Sequence, residues 1–135
     1  MISSYNIVSQ DVVINGLLTF TTDRILTGCT ATRDGQTFQL NKPGYYYVTF
    51  NAVGEATTEA GDIVVTLQNN GVTVPGATAT FTVAAVDTSV GLSFATIIKV
   101  PPSCCAIDNT AKLTLVNTGV AATFTNVNIN ITKLC

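Results

Sequence analysis

Short runs of Val, Ile, Thr, Phe and Tyr in near-strict alternation recur from one end of this chain to the other, and no apolar stripe of helical period interrupts them. A chain written this way has no helix face to bury; it has to be built from strands. The alternation predicts strands at Tyr5 to Ile14, Leu17 to Phe20, Arg24 to Ala31, Thr37 to Leu40, Tyr45 to Val53, Asp62 to Gln68, Thr78 to Val86, Val90 to Val100, Ala111 to Asn117 and Ala122 to Thr132. The residues between them are turn formers with identifiable roles. Asp34-Gly35 and Asn70-Gly71 supply the positive φ of tight hairpins. Lys42-Pro43-Gly44 fits a turn with φ preset by proline, and Pro101-Pro102 ends a strand because neither residue can donate to a ladder. The stretch GEATTEAG from Gly54 to Gly61 reads as a polar loop. About ten short antiparallel strands in one compact domain make an all-β jelly-roll sandwich. No linker or repeat divides the chain, and the expected layout is an N-terminal strand or anchoring arm over 1–14 followed by the jelly roll over 15–135.

Two stretches say what the strands face. In KPGYYYVTFNAV, from Lys42 to Val53, Tyr46, Val48 and Phe50 form one row and Tyr45, Tyr47 and Thr49 the other. The first row reads as core. The second puts aromatic bodies with hydroxyl tips on the outer side, where they suit a subunit contact. In ATFTNVNINITKL, Val127, Ile129 and Ile131 form an aliphatic row that must face the core. The alternate row is Phe124, Asn126, Asn128 and Asn130, which faces either water or an identical row on a neighbouring copy, since amides both donate and accept.

Here composition matters. Only 10% of the residues are charged and 47% are apolar, against about 25% charged in an average soluble domain. A lone folded monomer of this size would expose roughly 6,700 Å², and six cations with eight carboxylates are few to solvate it. An obligate oligomer, whose copies cover one another, is the expectation.

Several function classes drop out. With no histidine, the usual Ser-His or Cys-His activation is missing. The glycines form no phosphate-binding or nucleophile-elbow pattern, and of the carboxylates only Glu55 and Glu59 lie close together, on the polar loop. We expect no enzyme and no cofactor. The six cations form no basic stripe, so nucleic acid is not an expected partner. No run approaches the roughly 18–20 apolar residues of a membrane span, and MISSYNIVSQDVV is not a secretory leader, so synthesis in a cytoplasm is expected. Cys29, Cys104, Cys105 and Cys135 are candidate thiol cross-links. They are free in a reducing compartment, bridged after release, or, least in keeping with their spacing, zinc ligands.

The run GYYYVTFNA followed by IVVTLQNNGVTVPGATAT resembles the trimeric jelly rolls of the tumour necrosis factor-like and complement globular-head families, and the tip domain of bacterial collagen-like exosporium glycoproteins. Gly44, Tyr45, Tyr46, Val48 and Phe50 carry the first half of that pattern; Asn70, Gly71, Val72, Val74, Pro75 and Gly76 carry the second. The chain has no Gly-X-Y collagen repeat. LLTFTTD at 17–23, Cys29, VPPSCC at 100–105 and LTLVNTG at 113–119 are similar to small phage and prophage proteins of gut Firmicutes that look like capsid decoration or head-fibre components. The resemblance implies a homotrimer with the aromatics of the Tyr45 strand and the last strand near the threefold axis. Its expected interface residues are Tyr45, Tyr47, Phe124, Asn126, Asn128 and Asn130. It also implies a virion-surface location, with the major capsid protein or another virion protein as partner. Ile2, Tyr5, Ile7 and Val8 are the candidate capsid-anchoring residues, because a chain terminus is free to reach a neighbour. The alternative expectation is a receptor- or glycan-binding tip module or a spore-surface head domain, with a surface glycan as ligand.

Overall fold

The computed structural model describes residues 1–26, 31–100 and 111–134. Eleven strands are present among them: β1 (Ile2–Asn6), β2 (Gln10–Val12), β3 (Thr22–Leu26), β4 (Ala31–Asp34), β5 (Thr37–Leu40), β6 (Gly44–Ala56), β7 (Gly61–Asn69), β8 (Val72–Val83), β9 (Ser89–Val100), β10 (Ala111–Asn117) and β11 (Ala122–Lys133). They form two antiparallel sheets packed face to face. One runs β3-β1-β11-β6-β9, with β2 also pairing β11; the other runs β4-β5-β10-β7-β8. Two of the expected hairpin turns form, while Pro101-Pro102 lies outside the described residues. Gly35 and the Asn70-Gly71 pair take positive φ and close the β4–β5 and β7–β8 hairpins.

The inner faces interdigitate as alternation requires. Tyr46, Val48, Phe50, Ile129 and Ile131 from one sheet and Phe38, Ile63, Val65, Leu113 and Leu115 from the other are buried in one cluster. Phe20 meets Phe38 edge-on at 5.2 Å. The total accessible surface, 6713 Å², is that of a normally compact monomer of this mass.

Several expectations change: the expected Tyr5 to Ile14 strand is two, β1 and β2, and the expected Thr78 to Val86 strand is β8, which begins at Val72 and ends at Val83. Leu17 to Phe20 makes a single bridge, Leu17 to Val116, rather than a strand; Leu18 and Phe20 are core plugs. The Gln10 amide holds this segment, donating to the Thr19 carbonyl at 2.9 Å and accepting from the Thr19 N–H at 2.8 Å. The polar loop is shorter than read, because β6 continues through Gly54 and Glu55 to Ala56. Of the two expectations for the N-terminal segment, a strand or an anchoring arm, its first part is a strand: β1 lies between β3 and β11, and Ile2 is fully buried.

The two long sides of the sandwich differ. On the β3/β4 side a polar latch joins the sheets. Arg33 grips Asp23 with two donors, Nε at 2.5 Å and Nη2 at 2.9 Å, and gives Nη1 to the Phe20 carbonyl at 2.6 Å. Ser4 donates to the same carboxylate. The Arg33 guanidinium holds the Asp23 carboxyl below its ordinary value of 3.8, over the opposing effect of burial, with Ser4 assisting. A lowered carboxylate pKa stabilises the fold fully above the unfolded value and loses that stabilisation as pH falls through the folded one. The melting temperature is therefore expected to fall as pH drops below about 3.8. Asp23→Asn should melt lower at neutral pH but respond less to acid; equal acid sensitivity in the two proteins would show that the latch is not the titrating element.

The opposite side, between edge strands β8 and β9, has no such polar latch among the described residues. Phe81 points inward yet is 49% exposed, and Phe94 and Thr96 are only partly covered.

Candidate functional site

The outer face of the β3-β1-β11-β6-β9 sheet is the surface to explain. Register places its residues in cross-strand rows: Tyr5, Asn128, Asn51 and Ser93 in one; Asn130, Thr49 and Ala95 in the next; Thr132, Tyr47 and Ile97 beyond it. No ionisable group other than the tyrosine hydroxyls stands in these rows. Lys99, stacked 5.9 Å over the Tyr45 ring, and Glu55 mark the two ends. Strand alternation puts Tyr45 and Tyr47 outward, 44% and 42% exposed, with Ile97 beside Tyr47 at 55%. Asn130 donates to Thr49 at 3.2 Å, and Asn128 holds its Oδ1 buried without a hydrogen-bond partner.

Of the six predicted interface residues, this face gathers Tyr45, Tyr47, Asn128 and Asn130. Asn126 is exposed at the rim. Phe124 is a correction: it is fully buried in the core. Asn126 adopts φ 53° and forms a bulge, so the register slips between Thr125 and Asn128. Side chains before the bulge therefore exchange faces with those after it, and Phe124 joins Ile129 and Ile131 inside. Its partner across the ladder is Gly54, where an added Cβ would come within 3.4 Å of the Phe124 ring.

The anchoring candidates separate as well. Ile2 belongs to the core, which corrects that assignment; Tyr5 lies half-buried beneath the Arg24 guanidinium at 5.0 Å; Ile7 and Val8 are each 67% exposed in the β1–β2 connection. Cys29, Cys104, Cys105 and Cys135 all fall outside the described residues.

Sequence reasoning missed the open β8/β9 side. The alternation in SVGLSFATIIKV announces Val90, Leu92, Phe94, Ile98 and Val100 as inward and Ile97 as outward, but only the sheet order shows that β9 is an edge strand, paired with β6 and with no second strand beside it among the described residues. The clefts in the described surface are open ones. One of about 450 Å³ lies between the β6–β7 and β10–β11 connections, lined by Ile14, Glu59, Asp62 and Val120. Another of about 380 Å³ is lined by Tyr5, Ile7, Arg24, Asn126 and Asn128. Among the described residues no three Cys, Asp or Glu side chains converge as metal ligands, and no helix is long and apolar enough to cross a membrane.

No protein-family description and no curated protein sequence matches the chain. Solved structures do. The globular domain of zebrafish complement 1qA protein superposes with a TM-score of 0.64 at 12% identity, over 95% of this chain and 92% of that one. Murine APRIL at pH 5.0 gives 0.62 at 11% identity, over 98% of each chain. The fold is a tumour necrosis factor/complement-head jelly roll. PRD1 vertex protein P5 shares it, with a TM-score of 0.62 at 16% identity over 99% and 96% of the two chains. At such identities the likeness is one of fold.

Proposed function

We propose that this chain is a non-enzymatic structural protein of a phage particle, working as a homotrimer on the virion surface as a capsid decoration or head-fibre component. The observation that carries the reading is the outer face bearing Tyr45, Tyr47 and Ile97, whose charges, Arg24 over Tyr5, Lys99 over Tyr45 and Glu55, stand at its margins. A threefold ring needs two different surfaces per copy that fit each other. That flat face is one, and the unlatched β8/β9 side with half-exposed Phe81 is the other. Face-to-edge packing would cover both, and would bring donors to a face where Asn128 is short of one. The fold shared with a phage vertex protein supports the location. Exposed Ile7 and Val8 are the best remaining contacts to the major capsid protein.

Tyr47→Asp tests the assembly. It would put an unpaired charge in the covered face, at a cost of several kcal/mol per subunit. Sedimentation should show three copies for the wild type and one for the variant. Unchanged mass in the variant would place Tyr47 outside the contact. Electron microscopy of particles tests the location: density on the capsid surface is expected, and density confined to a tail tip would reject decoration. The second reading, a glycan-binding tip, is favoured by the cleft of Tyr5, Arg24, Asn126 and Asn128, which offers a ring, a guanidinium and two amides.

A further inference from the structure

The few charges of this protein are sorted by position along the strands. Register fixes the two ends. At one end β6 finishes and β7 begins, β11 and β9 begin, and the Asp87 N–H bonds the Ala56 carbonyl. Asp11, Glu55, Glu59, Asp62 and Asp87 all stand at this end or on the strand residues next to it, with no lysine or arginine among them. At the other end β6 begins and β9 and β11 finish. Lys42, Lys99, Lys112 and Lys133, all the lysines of the chain, stand there. No carboxylate of the described residues joins them; Asp23 and Asp34 belong to the latched side with Arg24 and Arg33, and Asp108 lies outside the described residues.

Thirteen residues of β6 at about 3.3 Å each separate the ends by roughly 40 Å. That is several screening lengths at physiological salt, so each end presents its own sign to whatever approaches. Both ends also carry uncovered apolar side chains, Val13 and Ile14 (67% and 59% exposed) at the acidic end and Val72 (69%) at the lysine end. Each end is thus complementary in charge and similar in apolar character to the opposite end of an identical molecule.

We infer that copies of this protein associate end to end, the acidic end of one against the lysine end of the next. Such a contact joins two different surfaces by a translation along the strands, so it does not close and propagates as a stack. It is independent of the face-to-edge packing proposed above, which runs across the strands.

The test uses the intact protein at two ionic strengths. Between about 0.01 M and about 1 M salt the screening length falls from about 30 Å to about 3 Å. Scattering mass should rise steeply with protein concentration at the lower salt and be flat at the higher. Lys42→Glu/Lys112→Glu and Glu59→Lys/Asp62→Lys, all at exposed positions away from the core, should each stay at the high-salt mass under both conditions. In a mixture the untouched acidic end of the first variant meets the untouched lysine end of the second, while the altered ends are near neutral (two Lys with two Glu at one, three carboxylates with two Lys at the other), so the mass should rise to paired units and stop there. A wild-type mass independent of salt, or a mixture that stays at the high-salt mass at low salt, overturns the inference. Loss of particle binding by the lysine-end variant, with wild-type self-association absent, would assign that end to an acidic partner instead. The high-salt mass separately reports the trimer: three copies that never stack would sink only the stacking, and single copies that stack would sink only the trimer.

Discussion

Removal of residues 1–6 is expected to abolish the folded state, not merely attachment to a particle. β1 is hydrogen-bonded on both sides, to β11 and to β3. Without it β3 has no neighbour in its sheet, and β11 loses one of its two main partners. Ile2 is fully buried, and losing such a side chain costs about 2–5 kcal/mol. Each ladder hydrogen bond adds about 1 kcal/mol. Ser4 also leaves the latch carboxylate. Against a total stability of about 5–15 kcal/mol, these losses are decisive. The expected result is a chain without a cooperative thermal transition and without the dispersed amide spectrum of the intact protein. A truncated protein that melts cooperatively near the wild-type temperature would mean that residues 1–6 are a detachable arm after all.

Phe124→Ala is expected to destabilise each protomer by about 3–5 kcal/mol, seen as a lower denaturant midpoint at unchanged slope. The ring is fully buried opposite Gly54, a glycine on which the Leu92 and Ile63 side chains also close, so truncation leaves a cavity in a packed core that relaxes only in part. Were Phe124 on the outer face with the asparagines, the same change would weaken assembly and leave a protomer's stability within about 0.5 kcal/mol. Asn126 provides the control. Its φ of 53° suits Asn or Gly and opposes β-branched residues. Asn126→Gly should be nearly neutral, while Asn126→Val should destabilise by forcing the bulge out of register.

That bulge also marks where the sequence stopped being readable. The Tyr45-to-Val53 alternation gave both faces of β6 correctly, because the strand runs unbroken against two neighbours. In β11 the same counting failed at one residue. Nothing in ATFTNVNINITKL says that Asn126 is inserted rather than paired; the slip is fixed by where Phe124 meets Gly54 and Ile129 meets Phe50. Strand existence was legible from local chemistry, whereas Leu17 to Phe20 misled because two buried residues in alternation look alike in a strand and in a plug held by Gln10. The outer face was half legible: Tyr45 and Tyr47 announced it, but its full width depends on which strands lie side by side. The sorting of charge along the strand axis was not legible at all. Lys42 and Lys133 share an end only once the ladders of β6 and β11 are drawn.

The unlatched side carries a further consequence for how this protein is made. β8 has no charged residue in twelve, and β9 has one, Lys99. A newly folded copy that has not met its fellows offers two long, nearly neutral edge strands, unpaired on their outer side among the described residues, the template on which stray chains zip into cross-β fibres. Assembly that covers these strands removes the template, so a variant that fails to assemble is expected to form fibres more readily than the wild type.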